Sequence, residues 1–354
     1  MEPALPVEPP EDFIALTKDV ATSYQHVKLL WNGLKPDTRK NYAVAIRSYT
    51  AHCRLQGYTA WPATTASLSS WLAARAFGSS QPLMGQVTAN TLQSYLSALR
   101  SVHVDLGYPT DTFSSEHLDR IIQGARNIFP KREKRKRLPI TRDILTDILS
   151  PAASRGEDPI DTANLNAAFA LAFAGFLRIG EITYTPAQAR QRTRLFAERV
   201  TRRCVTLDAQ GQSMTLLLPR SKTDRNNDGV RIIVARAPDT ACPITLFQRL
   251  AEIDPQPPDA PLFRLSSGAF NRSHVLRLLQ RRLANVGRDA QGFSGHSFRK
   301  GAAQQAYDNH LHEDQIQLLG RWTSEAFRRY YKSDPQRLFH THLQFLTGRA
   351  PSYS

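Results

Sequence analysis

His296 and Arg299 stand three residues apart in Gly295-His-Ser-Phe-Arg-Lys300, a spacing that puts both on one helix face. Gly295 and Ser297 suit a helix start, and such a start favours an anion. Leu319-Gly-Arg-Trp322 adds an indole N–H donor, and Arg328-Arg-Tyr-Tyr-Lys332 supplies the paired phenols Tyr330 and Tyr331. Upstream, Arg178 lies in Ala174-Gly-Phe-Leu-Arg-Ile-Gly-Glu-Ile182, and Lys222 in Ser221-Lys-Thr-Asp-Arg225. Each residue alone has a structural reading: an Arg178–Glu181 salt bridge, an exposed hairpin lysine, a core histidine, a packing tryptophan and amphipathic tyrosines. Together they fit one reaction. A phosphodiester attacked in line gathers negative charge on its non-bridging oxygens, and two arginine forks with His and Trp donors stabilise that charge without a metal. Tyrosine, with a pKa of about 10, attacks only when cations surround it. The departing 5′-oxygen needs a proton, which Lys222 can donate. A phosphotyrosine would conserve the broken bond's energy, in keeping with the absence of a GxxxxGK[ST] loop.

Two groups of elements are expected to position these residues. Residues 12–34 have the spacing of one amphipathic helix, and Lys35-Pro-Asp-Thr opens a second, capped by Asp37 or Thr38 and stopping at Gly57. Helices follow over 65–76, 88–106 and 115–127, so 12–128 reads as an all-α domain. Residues 1–11 are proline-rich and acidic and are expected to be disordered. Residues 129–138 read as a basic linker, with six of the seven residues 131–137 basic. Lys131, Arg132, Lys134, Arg135, Lys136 and Arg137, with Arg39, Lys40 and Arg47 on the second helix, are the candidates for contacting nucleic-acid phosphates. The run also reads as a nuclear-import signal or a solvated hinge.

A second domain is expected over 139–349, followed by a tail at 350–354. Its apolar helix over 164–177 ends at Arg178, three short strands cover 204–207, 213–218 and 230–234, and helices resume after Pro243. Lys222 falls in the loop between the second and third strands. The fold class is therefore mainly α with a small antiparallel β-sheet.

Composition agrees with an anionic partner. The 354 residues carry 46 Lys and Arg against 31 Asp and Glu, a formal charge of +15. Three scattered cysteines show no disulfide framework, so a reducing compartment is expected. No apolar run approaches the ~20 residues of a membrane span, and no membrane partner is expected. His310-x-His312 and His340-x-His342 lack Cys or carboxylate partners at metal-ligand spacing; neither metal nor cofactor is expected.

In order and spacing, Arg178, Lys222, His296-x-x-Arg299, Trp322 and a tyrosine eight or nine residues later resemble the active-site set of the tyrosine recombinases, the phage-integrase family. Ser221-Lys-Thr-Asp224 and Leu319-Gly-Arg-Trp-Thr-Ser-Glu-Ala-Phe-Arg-Arg-Tyr330 further resemble the eukaryotic Crypton and DIRS-like mobile-element branch. Trp322 stands where bacterial members usually carry His. Spacing of nine, as in phage and bacterial members, selects Tyr331; spacing of eight, as in the Crypton-like branch, selects Tyr330, which is preferred. The resemblance implies a helical, SAM-like core-binding domain over 12–128 and a tyrosine-recombinase catalytic domain over 139–349. It implies a site-specific recombinase or transposase, encoded by a mobile element, that clamps double-stranded DNA, cleaves through a 3′-phosphotyrosine and exchanges strands as a tetramer. The nucleus is the expected location in a eukaryotic host, and the cytoplasm or nucleoid otherwise. A DNA-binding derivative without cleavage is the alternative. A type IB topoisomerase is disfavoured by the short helical first domain and the lack of a long coiled linker. The apolar stripe of Leu338, Phe339, Leu343, Phe345 and Leu346 reads either as packing in cis or as a helix docked on a neighbouring protomer.

Overall fold

A computed structural model describes residues 7–129, 137–191, 195, 197–219 and 229–330, with Ala326 and Arg329 described in backbone only. The chain divides into two compact units, with the described residues up to 129 in one and those from 137 onward in the other.

The first unit is all helical among its described residues. The helix expected over 12–34 is two helices, Glu11–Thr17 and Tyr24–Asn32. Ser23 makes the break, its side chain accepting the His26 backbone N–H to start the second helix. The next helix, Pro36–Gln56, is capped by Lys35 rather than by Asp37 or Thr38. Proline fits the first helical position because its missing N–H has no helical partner there, and Asp37 then sits in the first turn, where the dipole favours it. Gly57 ends this helix at φ 72, a conformation costly to other residues. Helices Thr65–Phe77, Ala89–Asp105 and Glu116–Ile128 begin at the side-chain caps Thr64, Thr88 and Ser115. Their apolar faces, with Tyr49, Leu68, Trp71, Leu92, Leu99 and Leu118, bury one core.

In the second unit the helix Pro159–Ala174 starts at its Asp158 cap, ahead of the expected Asn164, and is buried nearly all round. Helices Pro243–Ile253 and Ser297–Asp308 pack against it. Strands β1 (Val205–Leu207), β2 (Ser213–Leu218) and β3 (Val230–Ala235) form an antiparallel sheet in that order, pairing Thr206 with Thr215 and Leu216 with Ile232. Met214, Leu216 and Leu218 alternate toward the core. A two-residue hairpin, β4 (Arg264–Leu265) with β5 (Gly268–Ala269), was not legible in the sequence. In this unit's core lies the fully buried Arg282, paired with Glu157 at 2.6 Å and donating to the Ile148 carbonyl. The architecture is mainly α with one small antiparallel sheet, as the hydrophobic periods require.

Candidate active site

The Arg178 arm forms where the helix Pro159–Ala174 stops. Phe176 takes φ 50, a left-handed turn, and Arg178 becomes the N-cap of a short helix, Ile179–Ile182. Glu181, three residues on, accepts from Arg178 twice: from its backbone N–H at 2.8 Å and from one terminal guanidinium nitrogen at 3.0 Å. The salt bridge is therefore real. It engages one end of a fork that is about one-fifth exposed, which leaves donors for a second anion.

His296 caps the helix Ser297–Asp308, and Arg299 lies in that helix's first turn. A tight turn holds them. The Ser294 N–H donates to Ser297 Oγ at 2.8 Å, and the Ser297 N–H returns to the Ser294 carbonyl at 2.9 Å. The Gly295 carbonyl accepts the Ile179 N–H at 3.1 Å, joining this turn to the Arg178 helix through backbone alone. Arg299 is fully buried. One terminal nitrogen donates to the Phe176 carbonyl at 2.8 Å and the other to the Gly320 carbonyl, while its guanidinium carbon lies 4.3 Å from the Trp322 ring centre. Its Nε is buried with no hydrogen-bond partner among the described residues.

The Leu319-Gly-Arg-Trp322 stretch closes the site from a third side. The helix Glu313–Gly320 ends at Arg321 with φ 55, and the Trp322 ring folds back over Gly320. A Cβ at 320 would sit 1.5 Å from a ring carbon, so only glycine admits this packing. Trp322 is 8% exposed and lies against Phe176, Phe327 and Tyr330, with the Tyr330 ring centre 5.1 Å away. Tyr330 is half-buried and follows the 3₁₀ turn Glu325–Arg329, its N–H donating to the Phe327 carbonyl at 2.8 Å.

Five of the expected residues are thus gathered in one place: Arg178, His296, Arg299, Trp322 and Tyr330. Lys222 and Tyr331 lie outside the described residues, as does the 338–346 stripe. The electrostatics are cationic. Burial, and then Arg137, Arg178, Arg272 and Arg299, hold His296 below the ordinary imidazole value. Burial, and then Arg178 and Arg321, lower Arg299 to about 9, partly offset by Glu181 and Tyr330, so it stays charged at neutral pH. Such a field stabilises a phosphate and a phenolate alike.

Two cations of this cluster escaped the sequence reading. Arg321 donates to the Gly175 carbonyl at 2.8 Å, the Phe176 carbonyl at 3.3 Å and Glu181 at 3.4 Å. It sits inside the Leu319-Gly-Arg-Trp322 stretch, but nothing in the spacing assigns it a role. Arg272, exposed at the start of the helix Arg272–Asn285, places its Nε 3.4 Å from where a Gly295 Cβ would be. Nothing local in the sequence marks it, because the chain returns to His296 only after that whole helix.

The phosphate-contact candidates divide. Arg39 is turned inward: it pairs with Asp105 at 3.0 Å, donates to the Trp31 and Leu30 carbonyls, and lies over the Phe13 and Trp31 rings. All three of its nitrogens serve the first unit's own packing, and its side chain is only 13% exposed, so it is turned away from an incoming phosphate. Lys40, Arg47 and Arg137 are exposed. Lys131, Arg132, Lys134, Arg135 and Lys136 lie outside the described residues.

No family model matches the chain, and no curated protein matches it. Solved structures do. The chain is similar to the integrase of the Tn1549 transposon in complex with transposon right end DNA, at 14% identity and a TM-score of 0.58, covering 94% of this chain and 98% of that one. It is also similar to the XerH site-specific recombinase in a post-cleavage complex with its palindromic difH substrate, at 14% identity and a TM-score of 0.57 over 93% of this chain and 84% of that one. Lambda integrase bound to DNA gives 17% identity and a TM-score of 0.50 over 92% and 98%. The fold of the chain is that of the tyrosine recombinases.

Proposed function

We propose that the chain is a tyrosine-type DNA strand transferase of the recombinase family, which cuts and rejoins double-stranded DNA through a covalent 3′-phosphotyrosine. One observation carries this reading: Arg178, His296, Arg299, Trp322 and Tyr330, drawn from three separate segments, converge on one strongly cationic site. The similarity of fold to DNA-bound integrases and recombinases supports it. Arg178 and Arg299, with His296, neutralise the non-bridging oxygens of the scissile phosphate. The tyrosine oxygen attacks phosphorus, the bond to the 5′-oxygen breaks, and Lys222 gives that oxygen its proton. Attack by the freed 5′-hydroxyl of a partner strand reverses the step and releases the tyrosine. The reaction serves a mobile element of the Crypton or DIRS-like kind, in the nucleus of a eukaryotic host, through a tetramer on DNA.

Tyr330 is the nucleophile in this reading, supported by its place beside Trp322 and its electrostatic coupling to Arg299. The same packing favours a second assignment, in which Tyr330 props Trp322 and the next residue, Tyr331, attacks. Tyr330→Phe and Tyr331→Phe are to be incubated with a pool of nicked duplexes of randomised sequence, and covalent protein–DNA adduct scored on denaturing gels. Adduct should vanish in Tyr330→Phe and persist in Tyr331→Phe; the reverse pattern moves the nucleophile to Tyr331. No adduct from the unaltered chain, with DNA binding intact, would favour a binding protein that has lost cleavage.

A further inference from the structure

We propose that Arg321 is a positioning residue for strand cleavage: through Glu181 and the carbonyls of Gly175 and Phe176 it sets the two arginines, Arg178 and Arg299, that grip the scissile phosphate. The inference rests on the strand-transferase reading above.

Arg321 stands where a glycine would cost nothing. It ends the helix Glu313–Gly320 in the left-handed region, φ 55, where an L side chain crowds its own backbone. Its guanidinium is then buried rather than released to water, with a side chain only 12% exposed. Strain at the backbone and desolvation at the head group are both tolerated, which directs attention to what the head group touches. It reaches the Gly175 carbonyl at 2.8 Å, the Phe176 carbonyl at 3.3 Å and Glu181 Oε2 at 3.4 Å.

Each contact bears on a phosphate-gripping arginine. Glu181 is shared: Oε1 accepts the Arg178 guanidinium at 3.0 Å, while Oε2 accepts the Arg178 backbone N–H and Arg321. With Oε2 held by Arg321, Arg178 meets the carboxylate through a single terminal nitrogen. Remove Arg321, and Oε2 keeps only the Arg178 backbone N–H, so the carboxylate can turn to engage more of the Arg178 fork, toward the preferred two-pronged arginine–carboxylate geometry. The second contact is with the Phe176 carbonyl, which also accepts Arg299 at 2.8 Å. Phe176 is itself left-handed, φ 50, so this carbonyl is aimed by a strained turn that Arg321 clamps from both Gly175 and Phe176. Arg321 therefore fixes the partner that holds Arg299 against the Trp322 ring.

The test uses the full chain and the same randomised nicked duplexes, with adduct rate and DNA affinity measured separately. Arg321→Gly suits the left-handed backbone and leaves a space lined by two carbonyls and a carboxylate. A misplaced grip on the phosphate should slow adduct formation by about 100-fold. Affinity should stay within about twofold of the unaltered chain, because the remaining phosphate contacts are untouched. Added methylguanidinium should restore part of the rate, and Arg321→Lys, which keeps charge but not the fork, should fall between. A purely structural residue would instead give an adduct rate at the unaltered level, or a loss that tracks thermal stability and is not restored by methylguanidinium; either result overturns the proposal. If Arg321→Gly does not fold, Arg321→Lys decides alone, by a slower rate at unchanged affinity or by an unchanged rate. Absence of adduct from the unaltered chain would instead defeat the strand-transferase reading, and this inference with it.

Discussion

His296 shows how far a residue's chemistry depends on its neighbours. It is half-buried, and the cations Arg137, Arg178, Arg272 and Arg299 all act on it, so its proton is held less tightly than in a free imidazole. Folding lowers its pKa, and the unfolded chain binds the proton first. The contribution of His296 to stability is therefore complete above the unfolded value of 6.5 and is lost as pH falls through it toward the lower folded value. Thermal midpoints followed downward from about pH 8 to about pH 5 should fall more steeply for the unaltered chain than for His296→Gln. Parallel curves would mean that His296 is not perturbed by its surroundings. Arg39 teaches the complementary lesson. Its place on the polar side of a helix suggested a free cation, yet Asp105 and two carbonyls consume it. The Arg178–Glu181 pair, by contrast, was readable from spacing alone, because three residues is a local distance.

At the scale of elements, close backbone approach shapes the site. The extended segment ending at Ile140 crosses the helix Ser297–Asp308 so closely that a Cβ on Gly301 would lie 1.6 Å from the Ile140 carbonyl oxygen. The Ile140 N–H donates to the Ser297 carbonyl at 2.9 Å, tying that segment to the turn that carries His296. Gly301→Ala must push these apart and should cost about 3 kcal/mol, read as a lowered urea midpoint of the second unit's transition. A midpoint unchanged from the unaltered chain would show that the segment yields freely. Gly301 and Gly320 are the same kind of residue in the sequence as Gly57, but Gly57 has open space around it and is needed only for its left-handed turn. Composition cannot separate the two uses. The break at Ser23 was missed for a related reason: the apolar spacing continues across it, and the cap that interrupts the helix is a single side chain.

For the molecule as a whole, the +15 charge makes the proposed DNA binding a counterion problem. The logarithm of the binding constant should fall linearly with the logarithm of salt concentration, and each exposed cation that meets a phosphate should contribute about 0.9 to the slope. Lys40→Ala and Arg47→Ala should each flatten the slope by roughly that amount. Arg39→Ala should leave the slope alone and lower the stability of the first unit, since its ion pair is part of that unit's packing. A flatter slope in Arg39→Ala would show that the Asp105 pair opens to DNA.

The sequence by itself determined the helical class, the small sheet, and the residue types that suit attack on a phosphodiester, because helical period, strand alternation and motif spacing are short-range properties. It also supplied His296 with Arg299, and Arg178 with Glu181, as pairs within one turn. Only the tertiary structure decided which further cations join them. Arg272 and Arg321 reach the site from separate helices, and Arg299 is held by carbonyls at Phe176 and Gly320 that no pattern of side chains records. Backbone oxygens carry no letter in the sequence, and their direction is fixed only when turns such as those at Phe176 and Arg321 are closed by packing.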